Sequence, residues 1–196
     1  MIIYFDTETT GLYPGQICQL SYIMQSKDSI ETRNFFFTVD SMEYSAFMVH
    51  GFSVEKLKIL SEGKRFEDFI DIIEKDFARA DLTISHNTAF DFMFMRSEFE
   101  RMERVFPIKN DFCSMKKTTS LCKLARSKGV GYKYPKLSEL CKFLDIYDFQ
   151  IKNASEKLFG NEAGYHDARF DTSALFLAVN ECMEAYEEFY NLKEFL

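Results

Sequence analysis

Asp6 and Glu8 lie two residues apart at the end of an apolar, aromatic-rich run, Ile2-Ile3-Tyr4-Phe5. Residues two apart on a strand project from the same face, so both carboxylates could reach one cation. Taken alone the pair says little, because an acid-x-acid pattern recurs by chance roughly five times in a chain this acidic, and an exposed strand end accounts for it. Its company changes its weight. Ser85-His86-Asn87-Thr88-Ala89-Phe90-Asp91 places a further acid where a strand gives way to a helix, and strand ends are where open α/β sheets carry their sites. Tyr165-His166-Asp167-Ala168-Arg169-Phe170-Asp171 supplies another, with a histidine five positions before it. Five helical residues turn through about 500°, so His166 and Asp171 would not share a helix face; His166 is expected on the preceding loop, reaching the site from another side. Simpler readings exist: Asp91 as a helix-start acid favoured by the macrodipole, His86 and Asn87 as turn and cap residues. Against them, all three histidines, His50, His86 and His166, fall in polar, small-residue motifs and not on apolar faces.

Positioning such residues takes a sheet with helices packed on it. Residues 2–5, 17–24 and 33–39 read as strands separated by the turn formers Tyr13-Pro14-Gly15 and Ser26-Lys27-Asp28-Ser29; connections this short imply an antiparallel meander. The period then becomes helical, with Phe66, Phe69, Ile70, Ile73 and Phe77 on one apolar face. Residues 82–85 read as a short strand, and Phe92, Met95, Phe99 and Met102 mark a helix. A brief strand falls near Phe112, Leu137, Leu140, Cys141 and Leu144 mark another helix, and a long helix is expected over residues 168–192. Residues 147–164 stay open between a loop, a short helix and a lid. A meander followed by strand-helix alternation predicts an α/β fold, a mixed sheet with helices on its faces. At 196 residues, one domain over residues 1–196 is expected.

The chain is 46% hydrophobic and 28% charged, which excludes disordered and fibrous classes. Its apolar runs fall far short of the ~20 residues a spanning helix requires, and the start lacks the basic flank and cleavage site of a signal peptide. Five scattered cysteines without a C-x-x-C pair suggest no zinc or redox motif and fit reduced thiols in a cytoplasmic protein. A net charge of -7 is at first sight wrong for a nucleic-acid binder. With the four candidate acids neutralised by cations, however, the remainder of the 31 acids nearly balances the 24 bases. Between Met115 and Ser138 stand seven bases and no acid, with Tyr132 and Tyr134 interleaved. This segment, with Lys133 and Lys136 as its candidate contacts, is either a nucleic-acid surface or a solvated helix face and loop.

Asp6-Thr7-Glu8-Thr9-Thr10-Gly11, Val49-His50-Gly51, His86-Asn87-Thr88-Ala89-Phe90-Asp91 and His166-Asp167-Ala168-Arg169-Phe170-Asp171 occur in this order. Together they resemble the DEDDh 3′-to-5′ exonucleases, the DnaQ-like family that includes proofreading subunits of bacterial replicative DNA polymerases. The likeness covers nearly the whole chain, and the ordered set is specific although each motif alone is weak. The resemblance implies a ribonuclease H-like fold: a mixed five-stranded sheet, antiparallel meander then parallel strands, with helices on both faces. It also implies that Asp6, Glu8, Asp91 and Asp171 hold two divalent cations, Mg²⁺ or Mn²⁺, with His166 as general base. The tyrosine-type subclass has its tyrosine where Asp167 stands, so Tyr165 is out of register. Thr9, Thr10, Gly11, Val49, His50, His86, Asn87 and Phe90 are the family's positions near the terminal nucleotide.

The chemistry implied is phosphodiester hydrolysis, in which two ions about 3.5–4 Å apart address the attacking and leaving oxygens. Hard cations prefer oxygen ligands, so clustered carboxylates suit them and cysteines would not. The implied substrate is single-stranded or frayed DNA, released as nucleoside monophosphates. Two rivals stay open: RNA trimming, as in relatives resembling ribonuclease T or oligoribonuclease, and a non-catalytic nucleic-acid-binding module, which the intact acids disfavour. Two features depart from the family, the longer stretch at 147–164 and Arg169. Because the chain ends soon after its last helix, a freestanding enzyme is expected, with a DNA polymerase left open as a partner.

Overall fold

The computed structural model describes residues 1–160 and 163–196. Its sheet has the order β3-β2-β1-β4-β5, built from β1 (Ile2–Thr9), β2 (Ile17–Gln25), β3 (Ile30–Phe36), β4 (Leu82–Ser85) and β5 (Asp111–Cys113). The first three strands pair antiparallel, and β4 and β5 join parallel to β1. The helices are α1 (Tyr44–His50), α2 (Val54–Leu60), α3 (Ile70–Arg79), α4 (Thr88–Arg101), α5 (Ser114–Lys117), α6 (Thr119–Cys122), α7 (Leu137–Phe143), α8 (Asp148–Phe159) and α9 (Ala168–Ala185). A 3-10 turn, Phe66–Phe69, leads into α3, and another, Glu187–Phe195, follows α9.

Strand alternation divides the core. Ile3 and Phe5 of β1 join Leu20 and Tyr22 of β2 beneath Ile73 and Phe77 of α3 and Phe92 and Phe99 of α4. Ile2 and Tyr4 point the other way, onto Leu175, Val179 and Met183 of α9. The same period of two carries Asp6 and Glu8 onto the α9 side. Pairing of β4 with β1 ends at Tyr4↔Ile84, so both acids stand beyond the end of the parallel pair, where such sheets open a crevice.

Four boundaries differ from the sequence reading. β1 runs on to Thr9, which puts Asp6 and Glu8 inside it. β3 begins at Ile30 and ends at Phe36, earlier than the expected 33–39. The tight turn at Ser26, whose N–H donates to the Ser29 carbonyl at 2.9 Å, starts the pairing despite the polar Glu31 and Thr32. Phe37 and Val39 lie in the core beyond the strand. α9 stops at Ala185 because Tyr186 is extended (φ -129, ψ 120). The following 3-10 turn continues the apolar spacing, and Phe189 packs 6.0 Å from Phe112 between ring centroids, so the sequence looks helical throughout. Within 147–164, α8 is the short helix among the three readings; residues 161–162 lie outside the described residues. The α1–α2 pair, absent from the sequence reading, supports the segment bearing Val49 and His50.

Candidate active site

A cleft of about 990 Å³ opens at this end of the sheet, lined by Asp6, Glu8, Asp91, His166 and Asp171 from three separate stretches of chain. Asp91 comes from the first turn of α4, where it accepts a hydrogen bond from the Thr7 hydroxyl at 2.8 Å. Thr7 points to the α4 side of β1 because it alternates with Asp6 and Glu8, so one strand both bears two acids and orients a third. Asp171 comes from the first turn of α9. His166 precedes that helix in a left-handed conformation (φ 59), one that histidine adopts more readily than most residues. The turn brings its exposed ring back over the helix start. One ligand atom from each of Glu8, His166 and Asp171 lies within 4.8 Å of the other two. His166 thus sits on the loop, as the 500° rotation argument requires.

The electrostatics of the cluster are those of acids lacking a counter-charge. Burial, then the charges of Asp171, Asp91 and Glu8, push the Asp6 carboxyl well above the ordinary range. Burial and the charge of Asp171 raise Glu8 to about 8. Burial raises Asp91 to about 6 against the hydrogen bond from Thr7, and burial with the Asp167 charge raises Asp171 to about 7. Oxygen donors that repel one another at neutral pH fit divalent cations, and the imidazole beside them suits proton transfer.

These shifts give metal-free protein a defined pH response. A carboxyl whose folded pKa is raised binds more protons folded than unfolded, so stability falls as pH rises from the ordinary carboxylate range through the raised value. Buried His86, depressed to about 4, acts oppositely below pH ~6.5, the ordinary histidine value. The carboxylates therefore dominate from pH ~6.5 to 8 through Asp171 and Glu8. In EDTA the melting temperature should fall across that interval, and saturating Mg²⁺ should remove most of the fall; parallel curves with and without Mg²⁺ would contradict the assignment.

The remaining sequence candidates separate into three groups. His86, Asn87, Phe90 and Lys136 line the cleft, but both His86 nitrogens are engaged. Its Nε2 lies 3.0 Å from the Pro135 carbonyl, which can only accept, and its Nδ1 lies 2.9 Å from the Ser114 hydroxyl. His86 therefore ties the 135 segment, and with it Lys136, to the cleft rim. Thr9 and His50 join each other beside the cleft. The Phe52 N–H donates to His50 Nδ1 at 3.1 Å, so Nε2 carries the proton and donates to the Thr9 carbonyl at 3.2 Å. The neighbouring Thr10 and Gly11 form a loop closed by Gln16 and Glu43, and Val49 is exposed on the last turn of α1. Lys133 is ion-paired with Glu139 and lies outside the cleft lining.

Three features escaped sequence reading. Gln19, fully buried on β2, accepts from the Ala168 N–H at 3.0 Å and donates to Asp167 at 2.9 Å, fixing the start of α9 and hence Asp171. Arg169, to which the sequence reading assigned no role, binds Asp167 through Nε and Nη2 at 2.9 and 2.7 Å. Burial raises Asp167, but Arg169 and Gln19 outweigh it and hold the acid below its ordinary range; Asp167 thus serves as the N-cap of α9. Finally, α7 and α8 bring Lys142, Tyr147 and Phe149 to the cleft.

A ribonuclease H-like sheet whose central strand and two helix starts gather these acids around a histidine defines a DEDDh-type nuclease. The comparisons with known proteins agree. The profile of the family described as Exonuclease matches residues 3–176. The DNA polymerase III epsilon subunits of Salmonella typhimurium and Escherichia coli are 31% and 30% identical over 168 residues, covering 81% of this chain and 64% of theirs. Among solved structures, E. coli exonuclease I in complex with an oligonucleotide superposes with TM-score 0.71 at 16% identity, over 97% of this chain and 42% of that one. A zinc-bound complex of exonuclease I with single-stranded DNA gives TM-score 0.68 at 15% identity, with the same coverage. The chain belongs to the exonuclease family, in its DEDDh, DnaQ-like branch. It spans 64% of the length of the curated relatives. No helix among the described residues is long and apolar enough to cross a membrane.

Proposed function

We propose that this chain is a two-metal 3′-to-5′ exonuclease that shortens single-stranded or frayed DNA and releases nucleoside monophosphates. The observation that carries the reading is the convergence of Glu8, His166 and Asp171 within 4.8 Å, in one cleft with Asp6 and Asp91. Cations held by Asp6, Glu8, Asp91 and Asp171 would supply Lewis-acid stabilisation of charge developing on the phosphate oxygens. The exposed His166 ring beside Glu8 and Asp171 supports its reading as the general base that would accept the proton of the attacking water. Lys136, held at the rim through His86 and Pro135, is positioned to meet the strand's phosphates. Phe90 and Asn87, at the start of α4, are the candidates for contact with the terminal nucleotide, with Thr9, Thr10, Gly11, Val49 and His50 on the adjoining loop and helix. DNA as substrate draws support from the polymerase subunits among the relatives and from the single-stranded DNA bound to exonuclease I.

The test is side-by-side digestion of 5′-labelled DNA and RNA of one sequence, with Mg²⁺, Mn²⁺ or EDTA. Greater kcat/KM on DNA is expected, with mononucleotide products. A ratio favouring RNA would assign the chain to RNA trimming, and absence of metal-dependent product from either would remove the catalytic reading.

A further inference from the structure

The cleft is also lined by three aromatic side chains that the chemistry above leaves unused. Tyr147, Phe149 and Tyr165 are 56%, 63% and 53% exposed, yet all three line the same cleft as the acids. Large aromatic faces left in water at a site entrance are unfavourable unless something covers them. The Tyr147 and Phe149 rings are parallel within 7°, with centroids 6.2 Å apart. The Tyr165 hydroxyl donates to Asp148 between them in sequence, and its ring packs 4.8 Å from Phe170. The mounting is firm: buried Ile151 roots α8 in the core, and the Thr32 hydroxyl of β3 donates to the Leu158 carbonyl at 2.8 Å. Lys136 and Lys142 line the same cleft.

Aromatic faces interleaved with cations along a groove are the arrangement that holds single strands, because every unpaired base offers a π-face and every linkage a phosphate. Bases within a duplex have those faces covered by their neighbours. The geometry points to Tyr147, Phe149 and Tyr165 as a stacking platform for unpaired nucleobases at the 3′ end, with Lys136 and Lys142 on the intervening phosphates. This rests on the nuclease reading and adds to it a reason for choosing unpaired ends. Tyr147 and Phe149 stand at the start of α8 and Tyr165 just before α9, so two separate turns of the chain meet in the platform.

The test compares KM for a single-stranded oligonucleotide with KM for the same strand carrying abasic residues over its last four positions, with Mg²⁺. Wild type should show a KM about tenfold lower for the intact strand, the scale of one stacked base. Tyr147→Ala combined with Phe149→Ala should shrink that difference several-fold, with the loss falling on KM. Tyr147→Phe combined with Phe149→Tyr keeps both ring faces and should retain it. A double alanine variant that discriminates as wild type does would overturn the platform while leaving the nuclease intact. Failure of wild type to degrade either strand would overturn the nuclease reading itself.

Discussion

Replacing Asp6 by asparagine should lower activity by about 10³-fold or more while making the metal-free protein more stable. The first effect follows from losing a ligand for cations whose Lewis-acid contribution amounts to several kcal/mol, at about 1.4 kcal/mol per tenfold in rate. The second follows from the cluster itself. Asp6 is raised by burial and by the charges of Asp171, Asp91 and Glu8, so its ionised form is disfavoured in the fold. An amide of nearly the same shape removes a charge and opens no cavity. In EDTA at pH 8, Asp6→Asn should melt a few degrees above wild type, a domain of this size moving about 2–4 °C per kcal/mol. Mg²⁺ should then raise its melting temperature less than that of wild type, since ligand binding stabilises in proportion to affinity. Opposite movements of activity and metal-free stability mark a functional cluster; a purely structural acid would lose both together.

His166→Asn is the second large effect. Asparagine tolerates the left-handed conformation that His166 occupies (φ 59), whereas alanine would add backbone strain to the loss of the imidazole. With the base removed and the loop retained, kcat should fall by about 10²–10⁴-fold, the usual contribution of a positioned general base. The ring is exposed, so the melting temperature should stay at the wild-type value. An equal kcat in His166→Asn would show that another group takes the proton. A fall in kcat matched by collapse of the fold would assign His166 to structure.

The site was more legible in the sequence than the scaffold that holds it. Alternation along Ile2-Ile3-Tyr4-Phe5 placed Asp6 and Glu8 on one face, and helix rotation placed His166 on a loop; both arguments use local geometry that a sequence carries directly. Asp167 and Gln19 were opaque for the opposite reason. Their roles depend on a contact across 148 positions, and a buried amide on a strand has no signature of its own. Lys133 and Lys136 look equivalent in an acid-free run, but Glu139, just beyond it, takes Lys133, and His86 brings Lys136 to the rim. The aromatic residues at 147 and 149 followed neither a helical nor a strand period because they stand at the start of α8 and face the cleft.

The central claim is most directly tested by incubating a 5′-labelled single-stranded DNA with the protein and Mg²⁺ and resolving the products by length over time. The predicted result is a ladder that shortens one nucleotide at a time from the 3′ end. It should vanish in EDTA and in Asp171→Asn. Internal cuts from the earliest time points, or a ladder that persists in both EDTA and Asp171→Asn, would contradict it.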